Sequence, residues 1–365
     1  MLLAETTLIP SFDMLGLPMP AWLAQSLNVL TLAMHWLFLS MTAGGAAGYL
    51  LLSSNKSAAV SEVRKAMAAF LPFTLTTAMT MGVAPLLFVQ VLYGNYFYTS
   101  TILMGYVWMG LLVLMIANFY LLYWGWYRLK HDKPVRWVGL AVLLLMATSA
   151  AILTSNATLM QQPDAWRSFA EHMGTAPYMG DALFGARWSY AMFALAAGGG
   201  MFVATFMRSW SALYLQETAH GFTGALSLSA VGLAGMLGSG LWASLVMPAE
   251  LKATLLGGSE GIFAYTTIGA IVLSLLLTLQ AIRSPSGGRL TLAALALFVV
   301  LLGTASLRDA LRRATMQAHL DLSAVAVHPQ WGSFALFAVI LVGGLGLVAY
   351  MVKLALSSPR PKQAI

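Results

Sequence analysis

Long apolar runs, broken by short polar or charged stretches, organise this chain from end to end. A helix needs about 20 consecutive apolar residues to cross a bilayer. Nine runs meet that length: residues 22–53, 66–93, 101–127, 135–160, 183–210, 221–247, 261–282, 290–307 and 331–356. The runs are continuous rather than alternating, which predicts helices and excludes a transmembrane barrel. The expected fold is an all-α polytopic transmembrane helical bundle of about nine spans, with residues 1–365 as one integral membrane domain. Small residues cluster in three runs: Gly44, Gly45 and Gly48; Gly198, Gly199 and Gly200; and Gly232, Gly235, Gly238 and Gly240. Such clusters predict close helix contacts, with room for a flat cofactor as the alternative.

Composition agrees with the pattern. The chain is 59% hydrophobic and only 8% charged, where a soluble domain carries about 25% charged residues. Its pI near 9.6 does not indicate nucleic acid, because the basic residues sit at the ends of the runs and read as topology determinants. Of the 19 lysines and arginines, thirteen fall on one side: Lys56, Arg64, Lys65, Arg128, Lys130, Lys133, Arg136, Arg208, Arg283, Arg289, Lys353, Arg360 and Lys362. The other six are Arg167, Arg187, Lys252, Arg308, Arg312 and Arg313. The richer side is expected to be cytoplasmic, which places the N-terminus outside and the C-terminus inside a cell inner (cytoplasmic) membrane. The opening MLLAETTLIPSFDML has no basic region followed by a cleavage site, so no removable signal peptide is expected. The outer connections are then 94–100, 161–182, 248–260 and 308–330.

Candidate chemistry is sparse. The chain has no cysteine, which excludes thiolate metal sites and covalent haem attachment to this chain. No Asp or Glu lies in the middle of an expected span, which argues against a proton pump or proton-coupled carrier. His35 is the one histidine well inside a span. It reads either as a haem ligand or as a buried histidine bonded to a neighbouring helix. Tyr93, Tyr96, Phe97 and Tyr98 surround Gly94 and Asn95, an aromatic floor where the second span is expected to leave the bilayer at Tyr93. At about 1.5 Å per residue, His35 lies roughly 20 Å below Trp22, too deep to share a site with that floor. In the outer loop, Asn156, Gln161 and Gln162 offer neutral hydrogen bonds to a carbonyl-bearing ligand. Arg308, Arg312 and Arg313 stand at helical spacing and read as a docking site for an acidic partner, an anionic-lipid contact or a solvated interfacial helix. His319 and Asp321 alone are too few for a metal site, and His131 and His220 are expected to be solvated.

Together these residues resemble subunit I of cytochrome bd quinol oxidase. LNVLTLAMHWLFLSMTAG is similar to the family's opening helix, with its haem-ligating histidine at His35. GVAPLLFVQVLYGNYFY matches a helix end at Gly82, Val83, Ala84 and Gly94; SNATLMQQPDAW matches at Asn156, Met160, Gln161 and Pro163; ARWSYAMFALAAGGGMF resembles the fifth helix. The resemblance covers most of residues 22–255. Three departures stand out. Tyr190 occupies the place of the family's fifth-helix histidine; residues 101–127 carry no acid, with Ala117 and Asn118 where acids are expected; and the quinol loop is shortened to PAELKATLLGGSEG. Lys252 is then the counterpart of the family's lysine, while the following glutamate is replaced or shifted to Glu260.

The resemblance, less its missing groups, implies a membrane subunit of a respiratory electron-transfer complex, a quinol:cytochrome oxidoreductase component rather than an oxygen reductase. Quinol would bind near the outer face at Tyr93, Tyr96, Asn156, Gln161 and Lys252. Electrons would pass to a partner such as a c-type cytochrome, docked at Arg308, Arg312 and Arg313. One haem b could remain at His35, with no covalent haem. The alternatives are a haem-free assembly subunit and a small-molecule transporter.

Overall fold

The computed structural model describes residues 16–53, 57–210, 215–258 and 260–357; the side chains of 210–220 and several in the last helix are also outside the description. The opening stretch 1–15, the cations Lys56, Arg360 and Lys362, and the His220 side chain thus lie outside the described residues. The helices in chain order are α1 (Ala21–Leu51), α2 (Ala58–Leu103), α3 (Gly105–Lys130), α4 (Arg136–Met160), the short α5 (Trp166–Phe169), α6 (Leu183–Trp210), α7 (Leu215–Val246), α8 (Ala249–Gly257), α9 (Gly261–Arg283), α10 (Gly287–Met316) and α11 (Trp331–Ser357). Eight of them are long and apolar enough to cross a membrane: α1, α2, α3, α4, α6, α7, α9 and α10. The ninth expected span coincides with α11, which is helical over 27 residues. The only β feature among the described residues is an isolated parallel bridge between Leu17 and Val327. The protein is an all-α, multi-pass membrane bundle.

These helices are apolar on nearly every face, as lipid-contacting helices are. Met109, Val113 and Tyr120 on α3 and Ile262 and Leu276 on α9 remain exposed on the outside of the bundle. Interior contacts instead use small residues. A β-carbon on Gly44 would come within 2.5 Å of the Gly199 Cα, so α1 and α6 touch backbone to backbone at this crossing. Through this crossing and its contacts with α2, α4 and α10, α1 becomes the central post.

Two elements depart from the expected boundaries. α2 runs 46 residues, about 70 Å at 1.5 Å per residue, and continues where residues 94–100 were expected to form a connection. Its helical geometry breaks only at Tyr93 (φ −135, ψ 31), just before Gly94. Beyond that kink Tyr96, Phe97 and Ser100 are buried, and Tyr96 and Phe97 pack on Trp166 and Trp108. This tertiary packing outweighs the local turn signal. α10 likewise does not stop at residue 307 but carries all three arginines within one helix that ends at Met316.

The connections gather at two ends. At one, Tyr96 donates to the His319 carbonyl (2.8 Å), Ser155 to the Tyr178 carbonyl (2.9 Å), and Leu17 NH to the Ala326 carbonyl (2.8 Å). We call this the capped end. At the other, Lys65 pairs with Asp132 (3.0 Å), and Arg128 lies over the Trp124 and Trp137 rings. Cations against indole rings are typical of the membrane–water boundary.

Candidate functional site

His35 is held by α2. Its Nδ1 lies 2.7 Å from the Ala78 carbonyl. A carbonyl only accepts, so Nδ1 carries the proton and donates, and in the neutral form of the ring the lone pair is on Nε2. Gly82, one turn on, makes this possible: a β-carbon there would come within 2.7 Å of Nδ1 and 2.8 Å of Cε1. The glycine of the GVAP stretch is therefore the floor on which the imidazole lies.

His35, Arg187, Tyr190 and Arg308 all sit deep in the bundle, yet each keeps some accessible surface. Deep side chains that are incompletely packed line an internal cleft. The four come from α1, α6 and α10, and Tyr93 of α2 and Thr158 of α4 are buried beside the arginines, against Arg312 and Arg187. Tyr190 bonds Thr304 across α6 and α10 at 3.0 Å, and Arg308, one turn beyond Thr304, acts electrostatically on His35. A separate groove of about 330 Å³ lies between α1, α4 and α6; its lining is almost wholly apolar, and it holds none of these groups.

The charges in the cleft do not balance. Arg187, Arg308, Arg312 and Arg313 face Asp181, Glu260 and Asp309: four cations against three anions, a surplus of +1. The pairing is uneven as well. Arg313 takes most of it, with Nη2 2.6 Å from Glu260 Oε2, Nε 3.2 Å from Oε1, and Nη1 donating to Asp309. Arg312 is only 4% exposed, stands 3.8 Å from Asp309, and leaves Nε and Nη1 without a hydrogen-bond partner. Arg187 reaches Thr158 (3.4 Å) and Asp181 (3.9 Å), with its Nε unpartnered. Arg308 has no carboxylate partner among the described residues, and Arg312 and Arg187 repel it.

The expected exposed docking cluster on α10 is thus turned inward. Arg312 is buried and Arg313 is committed to Glu260 and Asp309, so neither offers a free guanidinium to an acidic partner at the surface. Asp309, outside the expected eighth span, is a buried carboxylate at 2% exposure and accepts from Asn28 (3.4 Å).

The quinol-region candidates are mostly interior too. Tyr93, Tyr96, Asn156 and Gln161 are buried. Tyr96 is satisfied by His319, and Asn156 donates to Ser100 (3.3 Å). The Tyr93 hydroxyl and Gln161 Oε1 have no partner. Arg312 sits 5.6 Å from the centre of the Tyr93 ring. Lys252 lies on the short α8, half-buried. Between the floor and His35 stand Arg312, over the Tyr93 ring, and Arg308, one turn away on α10 and close enough to His35 to act on its charge.

Sequence reasoning missed Arg187, Asn28 and Thr304. A signal for the α10 residues was present: Ala293, Leu297, Val300 and Thr304 form a buried stripe, and Arg308 and Arg312 continue it at the same three- and four-residue steps. Among the described residues no three His, Cys, Asp or Glu side chains group as a metal site. Asp321 bonds Ser323 through its backbone NH and hydroxyl, and those bonds hold its carboxyl below the usual range.

No family model, curated protein or solved structure matches this chain.

Proposed function

We propose that the chain is a membrane subunit of a respiratory electron-transfer complex, one that binds quinol towards its outer, capped end and passes electrons to a partner such as a c-type cytochrome. The observation that carries this reading is His35: a neutral imidazole, oriented by Ala78 over Gly82, with a free Nε2 lone pair at a polar internal cleft. A ring held by its Nδ1–H is prepared to ligate through the other nitrogen. These residues fit one haem b, whose iron would supply one-electron transfer when bound. His35 would hold it from α1, and α2 would fix the tautomer. Of the expected quinol set, the Tyr93 hydroxyl and the Gln161 carbonyl oxygen are buried without a partner, and these with the half-buried Lys252 would meet a headgroup. The order of motifs shared with cytochrome bd subunit I supports the same reading. Oxygen reduction is not part of it, because residues 101–127 hold no acid to deliver protons.

A reduced-minus-oxidised spectrum of the purified chain tests this, beside His35→Ala. A b-type band present in the parent and lost in the variant is the expected outcome, followed by reduction of that band with a quinol. A parent without the band, or one whose band survives His35→Ala, removes the proposal. The second reading is a haem-free assembly subunit. It draws on Tyr190, which stands at the family's histidine position and is already bonded to Thr304, and on the internal satisfaction of Tyr96 and Asn156.

A further inference from the structure

The buried arginines on α10 and α6 have a consequence of their own. A guanidinium is always charged and carries five donors. Removing it from water is costly unless a counter-charge and hydrogen bonds replace the lost solvent. Arg313 meets that requirement with Glu260 and Asp309. Its neighbour Arg312 is equally committed to the interior, at 5% side-chain exposure, but leaves two donor atoms empty. Arg187 Nε and the Tyr93 hydroxyl are empty as well, and Arg308 borders the same cleft with no carboxylate partner. The imbalance therefore concerns donors as well as charge.

We propose that Arg308 and Arg312, with Arg187 and Tyr93 beside them, form an oxyanion-binding site inside the bundle, which takes the carboxylate or phosphate of a bound molecule. Arg308 and Arg312 are one helical turn apart on α10; Arg308 keeps accessible surface at the cleft, and Arg312 lies buried beside it against Tyr93. An oxyanion between them would accept from both, cancel the +1 surplus and relieve the repulsion among Arg187, Arg308 and Arg312. Bidentate acceptance by guanidinium pairs is the usual way buried carboxylates and phosphates are held. The site stands on these arginines and does not require a haem at His35. Two sources share this chemistry: the propionates of a porphyrin in the cleft, and the phosphate of an anionic lipid reaching in from the bilayer.

The experiment uses the full chain in neutral detergent or nanodiscs and four probes: ferric haem, its dimethyl ester, phosphatidylglycerol and phosphatidylcholine. In the porphyrin arm, haem is expected to bind at least about tenfold more tightly than its ester, the scale of one charge-assisted hydrogen bond. That advantage disappears in Arg308→Gln/Arg312→Gln and persists in Arg167→Gln, a change at an exposed arginine. In the lipid arm, phosphatidylglycerol raises the melting temperature above that in phosphatidylcholine, again only while Arg308 and Arg312 are present. Either arm positive supports the site and names its source. If haem and ester bind equally and the two lipids give equal melting in the parent, the proposal is overturned, and this comparison does not depend on any variant folding. His35→Ala keeps the readings separate. Loss of all porphyrin affinity in that variant concerns the ligand reading alone, while an arginine-dependent lipid effect without any haem binding leaves the oxyanion site standing and removes the haem.

Discussion

In the cap, buried polar groups are largely spoken for: Tyr96 donates to His319, Trp166 to the Leu159 carbonyl (2.8 Å), and Tyr178 to Gln162 (2.5 Å). In the adjoining cleft, Arg312 and Arg187 leave donors empty at comparable depth. The two regions share walls, since Tyr93 belongs to the aromatic cluster of the cap and lies under Arg312. The cap uses most of its polarity to fix a structure and leaves only single atoms, such as the Tyr93 hydroxyl and Gln161 Oε1, without a partner. The cleft keeps polarity in reserve, at a cost to stability, which is how a site differs from a core.

The sharpest way to break this contrast is Trp166→Ala. It removes a side chain 1% exposed together with its hydrogen bond, and should cost about 4 kcal/mol, read as a large drop in melting temperature and faster proteolysis between α4 and α6. Asp309→Asn comes next. It strips a buried carboxylate from Asn28, Arg312 and Arg313 and should cost about 3 kcal/mol; unchanged melting would mean that the cluster is already solvated. Gly82→Ala forces a methyl group against the His35 ring and should cost about 1–3 kcal/mol. Under the proposed haem reading its particular sign is a shift or loss of the b-type band, where a cap variant of equal cost leaves the band shape intact. Ser286→Ala removes the N-cap of α10, where the hydroxyl accepts from Arg289 NH (3.3 Å). About 1 kcal/mol is expected, seen in melting alone, with haem and lipid preference unmoved.

Much of the architecture was legible beforehand. The nine apolar runs map onto α1, α2, α3, α4, α6, α7, α9, α10 and α11, because the bilayer demands length and apolarity that any packing partner would leave unchanged. The glycine pairs at Gly44 and Gly199 read correctly as close contact. His35 stood out because an ionisable group is rare within a span. Element ends were less legible. Gly94 and Asn95 carry an ordinary turn signal, yet α2 continues through them because Trp166 and Trp108, distant in sequence, give its aromatic residues a place to pack.

What the sequence determined by itself is a multi-pass helical bundle with one histidine inside a span, since hydropathy and run length act locally and need no partner. What the tertiary structure decided is the meaning of the charges. Arg312 and Arg313 are adjacent, and nothing in their order says that one is paired and the other left open. That difference arises because α10 is turned so that Glu260, at the start of α9, meets Arg313, while Arg312 faces Tyr93 and the cleft. A guanidinium's role depends on which groups surround it in space, and those groups come from helices far apart along the chain.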